Sequence, residues 1–293
     1  MRFDRTFIAI RERTTLGILD LALHVIVDHI RPLSCLLIIN ALPWILLDVY
    51  LVGHLLSDDY EAPAAFAFYW ATLILVISQA QLGTYLITQY LGKAMFEGQP
   101  RVLEVASSFW KITPYFWFSQ GTLRMAIFAI LVCLIFDGDS DNSQVAIVLL
   151  FFVVSAGCVV RAFRPFVTEV LVLEKTPIRA KPNIIHFGAR SKSLHAFASN
   201  DLIGKSIVTA AILAGLLFAT HSMFLTIDQV MNVRANSAYS LQPVYFVVSL
   251  WIVTGFASVV RFLYYIDLRI KQEGWAVELK MRAEAQRMEE AVE

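Results

Sequence analysis

Charge is what this chain has least of. Only 16% of its 293 residues are Asp, Glu, Lys or Arg, while 58% are apolar. A soluble domain carries roughly 25% charged residues, because its surface must meet water. The mean hydropathy of +0.63 therefore points to lipid as the solvent of much of the surface. Cysteine is scarce as well. Cys35, Cys133 and Cys158 all lie in apolar runs, with neither metal-ligand spacing nor a disulfide framework. The N-terminal stretch holds no signal-peptide core, since Arg11 and Arg13 interrupt it after Phe7 to Ile10. Phosphate loops, dinucleotide fingerprints, HExxH and nucleophile elbows are all missing, so no enzyme active site is legible. The zero net charge gives no footing for nucleic acid.

Long hydrophobic runs are what the chain does have. Six stretches, at about 33–56, 64–88, 115–136, 145–165, 204–226 and 242–265, reach the ~20 apolar residues that cross a bilayer. Only helices suit them, because lipid offers no partner to an open backbone group. The expected fold is all-α: a polytopic six-span membrane bundle. Basic residues give it a direction. Nineteen of the 24 fall in the N-terminal segment, the loops after spans two and four, and the tail. The opposite loops hold only Arg234, beside Asp58, Asp59, Glu61, Asp137, Asp139, Asp141 and Asp228. Both termini are expected in the cytoplasm.

Three regions lie outside the spans. Residues 1–32 form a cytoplasmic N-terminus with an amphipathic helix at 14–31, capped by Thr14 or Thr15. Asp20, His24, Asp28 and Arg31 make one polar stripe on it, as an in-plane interfacial helix requires. The same stripe places Asp20, His24 and Asp28 where i, i+4 metal ligands would stand. The basic loop 173–203 within the 33–267 membrane domain offers Lys175, Arg179, Lys181, Arg190 and Lys192 to anionic headgroups, or merely obeys the positive-inside rule. Pro177 and Pro182 prevent one continuous helix there. The tail 268–293 has five basic and six acidic residues, and suits a solvated or partner-facing helix after Gly274.

Few polar residues interrupt the spans, and a charge in a membrane reads as functional by default. Asp48 is the most deeply placed carboxylate, and Arg124 lies some eight residues into the third span. Their depths differ by roughly 10 Å, which an arginine nearly bridges, so they form either a structural lock or part of a permeation path. Arg161 and Arg261 sit in matching Cys158-Val-Val-Arg and Ser258-Val-Val-Arg contexts near the inner interface. Snorkelling to lipid phosphates is the plain reading of both, and a short internal duplication the other. His54 and His221 share a depth near the outer ends of their spans, as axial haem ligands would. Asp137, Asp139 and Asp141 alternate like the front of a calcium loop, but Asn142 replaces its glycine and Val148 its closing glutamate. Small-residue rows Ser206/Ala210/Ala214 and Ala211/Gly215/Ala219 predict that the fifth span packs centrally or in an oligomer. Gln79, Gln81 and Gln89 are candidates for interhelical hydrogen bonds.

Three segments carry a resemblance: Gly17 to Ala22 with Arg31-Pro-Leu33; Glu169 to Glu174 followed by Ala189 to Leu194; and Tyr265-Ile-Asp-Leu-Arg-Ile-Lys-Gln-Glu-Gly274. Together they resemble the membrane-domain group of glycerophosphoryl diester phosphodiesterases, a broad set of bacterial multi-pass proteins. The catalytic domain is absent, so no phosphodiester chemistry carries over. The resemblance implies an inner-membrane protein in the company of MoxR-type ATPases, von Willebrand A proteins and transglutaminase-like membrane proteins. The expectation is a non-enzymatic subunit or scaffold of an envelope complex, without cofactor, whose partners are membrane lipid and other integral membrane proteins. A small transporter or channel using Asp48 and Arg124, and a haem-bearing anchor, are the alternatives.

Overall fold

The computed structural model describes residues 14–53, 62–97, 100–107, 116, 120–122, 125–135, 143–174, 187–196, 199–235 and 242–273. Among them every regular element is helical: α1 (Thr15–Asp28), α2 (Ile30–Val52), α3 (Ala62–Gln79), α4 (Tyr85–Glu97), α5 (Val102–Ser107), α6 (Ala126–Ile135), α7 (Ser143–Phe163), α8 (Val167–Leu173), α9 (Phe187–Ala196), α10 (Ser199–Ala235) and α11 (Gln242–Glu273). Three are long and apolar enough to cross a membrane, at Ile30–Val52, Ile203–Met231 and Gln242–Lys271. Shorter apolar helices occupy Phe66–Gln79, Ala126–Ile135 and Val145–Arg161.

Helix α11 is the axis of the bundle, packed against α1, α2, α3, α4, α9 and α10. It runs unbroken to Glu273, through the expected boundary between membrane domain and tail. Its bulky face, including Trp251, Phe262 and Tyr265, is buried. Helix α10 rests instead on α11 and α7, at the periphery. The fifth span is therefore not central: Ser206, Ala210, Ala211, Ala214, Gly215 and Ala219 are exposed. It extends past the expected 204–226, and takes in Asp228, which hydropathy alone had placed in an outer loop.

Two expected spans are interrupted. The second divides into α3 and α4 at residues 80–84. A turn at this depth is tolerated because it is buried in protein, with Leu82 and Thr84 inaccessible. Gly83 permits the close approach: a Cβ there would run into the Trp251 ring of α11. The third departs from helix at Met125, whose φ of 64° precedes α6. A left-handed methionine costs about 1–2 kcal/mol and cannot continue a right-handed helix.

Helix α1 has three faces. Thr14 caps it, its hydroxyl accepting from the Gly17 amide at 3.2 Å. Ile18, Leu19, Ala22 and Val25 are buried in the core. Asp20, His24 and Asp28 are exposed, and so are Leu16, Leu23 and Val27 on a separate apolar stripe. At 3.6 residues per turn, that stripe falls between the polar and buried faces.

Candidate functional site: a polar seam at the helix break

The polar residues of the bundle gather where α3 stops. Helix ends leave their last four carbonyls without helical partners, and α3 ends at Gln79 inside the protein. Arg161, from the end of α7, supplies what is missing. Its Nη2 donates to the carbonyl of Ile77 and, at 3.2 Å, to that of Ser78. A cation at this end also faces the negative pole of the helix dipole. Arg161 thus caps α3 from a neighbouring helix and does not snorkel outward.

Gln79, the last residue of α3, reaches the other way. Its Nε2 donates to Asp48 Oδ1 of α2 at 2.8 Å, and both side chains are buried. The described partner of Asp48 is therefore this glutamine; Arg124 lies outside the described residues. Asp48 Oδ2 and Gln79 Oε1 have no hydrogen-bond partner among the described residues.

Within the break, Gln81 Oε1 accepts from Thr168 Oγ1 at 3.1 Å. The next residue, Glu169, is fully buried and accepts from Arg261 Nε of α11 at 2.5 Å. Arg261 too turns inward. Ionised pairs survive at such depth only when both members are matched, since removing either strands a buried charge. The matching Val-Val-Arg contexts place two arginines against one cavity, with unlike partners: backbone carbonyls for Arg161, a carboxylate for Arg261. The cavity, of about 430 Å³, lies between α7, α10 and α11 and is otherwise mostly apolar, with Leu213, Ala257 and Val260 among its walls.

A second charged cluster lies just beyond. Arg190 of α9 binds Glu174 through Nε at 2.7 Å and Nη2 at 3.0 Å, and Tyr265 donates to the same carboxylate at 2.7 Å. Burial opposes ionisation of Glu174, but Arg190, Tyr265 and Arg269 together hold its carboxyl below the usual range. Arg190 is thus engaged in docking α9 and not offered to lipid. Lys192 is exposed. Lys175, Arg179 and Lys181 lie outside the described residues.

The other candidates are dispersed. His221 on α10 packs edge-on against Phe246 at 5.5 Å, and His54 lies outside the described residues. Asp137, Asp139 and Asp141 also lie outside them. His24 Nδ1 faces its own helix at the Asp20 carbonyl, 2.9 Å away. That contact first, and the Asp20 charge second, raise its pKa above 6.5. Among the described residues no three metal-ligating side chains converge.

Sequence reasoning missed Glu169 as the mate of Arg261, and Gln79 as the mate of Asp48. A signal existed for both. Glu169 follows closely on an apolar run, and Gln79 and Gln81 come just before Gly83 in the second. No protein-family model matches the chain, and neither curated proteins nor solved structures yield a match.

Proposed function

We propose that this chain is a non-enzymatic multi-pass subunit or scaffold of a bacterial inner-membrane complex, with six crossings and both termini in the cytoplasm. The observation that carries the reading is the state of α10. None of its most apolar window is buried, yet its length is firmly held. Lys205 pairs with Asp267 at 3.8 Å, Thr209 meets the Tyr264 hydroxyl at 3.1 Å, and Tyr245 donates to Asp228 at 2.9 Å. From Lys205 to Asp228 is about 35 Å of helix, a bilayer's thickness. A rigid helix whose small-residue rows remain uncovered suits packing against another membrane helix. The resemblance to the phosphodiesterase membrane-domain group points the same way, by association.

The test is gentle extraction from native membranes, followed by mass measurement and identification of co-purifying membrane proteins. A defined partner should be retained, and lost when Ala211→Trp blocks the exposed row while the thermal unfolding of the chain itself stays unchanged. Purification as a lone monomer from those membranes would refute the reading. Cysteines placed at Asp58 and Lys175 test the orientation, since only the former should react with an impermeant thiol reagent in intact cells.

One observation favours the second reading, a small transporter or channel. Broken helices with polar side chains at the break are how membrane transporters build their sites, and Asp48–Gln79 adjoins the break at 80–84. Asp48 is enclosed, with 1% exposure, which weighs toward a lock between α2 and α3. Solute or proton flux in proteoliposomes, abolished by Asp48→Asn without loss of stability, would decide for transport.

A further inference from the structure

We propose that the cleft between α7, α10 and α11 is a built site for one anionic diacyl phospholipid. Its phosphate would lie against Arg161, Arg261 and Lys205, and an acyl chain would run along the apolar wall toward Leu213. The inference rests on the chain being a membrane protein, and is independent of whether it has a protein partner.

Four observations converge. The three cations line one cavity of about 430 Å³. Arg161 Nη1 and Arg261 Nη2 are buried and have no hydrogen-bond partner among the described residues, although both guanidiniums are anchored through their other nitrogens. Buried donors of this kind normally find an acceptor, and a phosphate offers several at once. Arg161 also has no carboxylate partner among the described residues: backbone carbonyls accept from it, so an anion in the cleft would balance its charge. Finally, the cleft opens sideways. Its α10 wall includes Ser206, Ile207 and Ala210, all exposed, so a lipid can enter from the bilayer. From Lys205 to Leu213 is ~12 Å of helix, which a free anion would not need and an acyl chain would cover.

The geometry sets the roles. Arg161 and Arg261 are fixed by the α3 carbonyls and by Glu169, so they present donors in place with little entropy left to lose. Lys205 lines the same cavity from α10, beside Asp267 at 3.8 Å and over the Tyr264 ring, and would add a third cation to the headgroup. A lipid held there would bridge α10 to α7 and α11 at the end of the bundle where α10 begins.

The experiment uses the full chain, stripped of lipid in detergent, with three probes: dioleoyl-phosphatidylglycerol, dioleoyl-phosphatidylcholine and inorganic phosphate. Native mass spectrometry should retain one phosphatidylglycerol about tenfold better than phosphatidylcholine, the discrimination that one charge-assisted contact provides. Phosphatidylglycerol should also raise the unfolding temperature, while inorganic phosphate at the same concentration should not. Ser206→Trp and Ala210→Trp fill the cleft from its exposed wall, so both should fold. Each should cut retention about fivefold or more while leaving the lipid-free unfolding temperature in place, since about 1 kcal/mol of lost contact has that effect. Lys205→Gln should narrow the preference between the two lipids. Equal retention of both lipids, undiminished binding in both tryptophan variants, or an equal thermal shift with phosphate alone would overturn the proposal.

Discussion

Helices α10 and α11 are nearly twins by composition and opposites by environment. Their spanning segments have 29 and 30 residues and mean hydropathies of 1.9 and 2.0. Yet 61% of the most apolar window is buried in α11 and none of it in α10. The difference lies in what the apolar residues are. Helix α11 brings aromatic side chains such as Trp251, Phe262, Tyr264 and Tyr265, which fill the spaces between six neighbours. Helix α10 brings small residues in rows and scatters its large ones, Ile207, Phe218 and Met231 among them, over an exposed surface. Lipid tails are as apolar as leucine, so hydropathy cannot rank helices for centrality; shape and polar mates do.

The sharpest way to break this comparison is through the Glu169–Arg261 pair, which ties α8 to α11 at 2.5 Å, whereas the Lys205–Asp267 pair of α10 spans 3.8 Å. Glu169→Ala should destabilise the chain by about 3–5 kcal/mol, because it strands a buried guanidinium. Replacing both residues by Met and Leu should recover most of that loss. Thermal unfolding in detergent reads both outcomes, and a double variant as unstable as the single would sink the account.

Glycines offer a paired test on the two helices. Gly83→Val drives two methyls into Trp251 on α11, and overpacking of that kind costs about 1–3 kcal/mol. Gly215→Ala on α10 meets nothing within 4 Å. It should stabilise by up to about 1 kcal/mol through helix propensity alone. If the two substitutions shift the unfolding temperature alike, the central and peripheral assignments are wrong. Asp48→Ala should cost about 1–3 kcal/mol by leaving the Gln79 amide buried without its acceptor. Asp48→Asn keeps an acceptor oxygen and should cost less, as measured in the same assay.

The smallest effect concerns pH at the far end of α11. The folded Glu174 has a lowered pKa, so its contacts with Arg190 and Tyr265 contribute in full above the ordinary value of 4.5. That contribution is lost as the pH falls through the lowered folded value. Hydrogen exchange at residues 187–196 should therefore quicken on acidification from pH 6 to about 3, with α10 changing less. Equal protection of α9 at both pH values would show that its docking does not depend on Glu174.

Much of this was legible in the residues themselves. The apolar runs at 33–56, 145–165 and 242–265 are helical wherever they are described, except for the last residues of the second, and the third helix runs on to Glu273, because in lipid a chain must satisfy its own backbone. The Thr14 cap was readable for the same local reason, as were Asp20, His24 and Asp28 of the expected stripe; its fourth member, Arg31, falls on α2, because the expected 14–31 helix divides at His29. Asp48, Arg161 and Arg261 stood out as charges in apolar surroundings, and all three belong to the buried seam. Their partners were not readable. Gln79 lies 31 positions from Asp48, Ile77 lies 84 from Arg161, and Glu169 lies 92 from Arg261. Hydropathy carries no term for such pairings.

What the sequence determined by itself was therefore the class: an all-helical chain with segments apolar enough to cross a membrane. That follows from composition and from intrachain hydrogen bonding, both local quantities. Only the tertiary structure decided which helix is central, where the second span breaks, and which way the arginines turn. Those outcomes depend on the shapes of facing surfaces and on scarce polar mates from distant helices. In a medium where every apolar surface is equally at ease, packing and pairing are what remain to choose among arrangements.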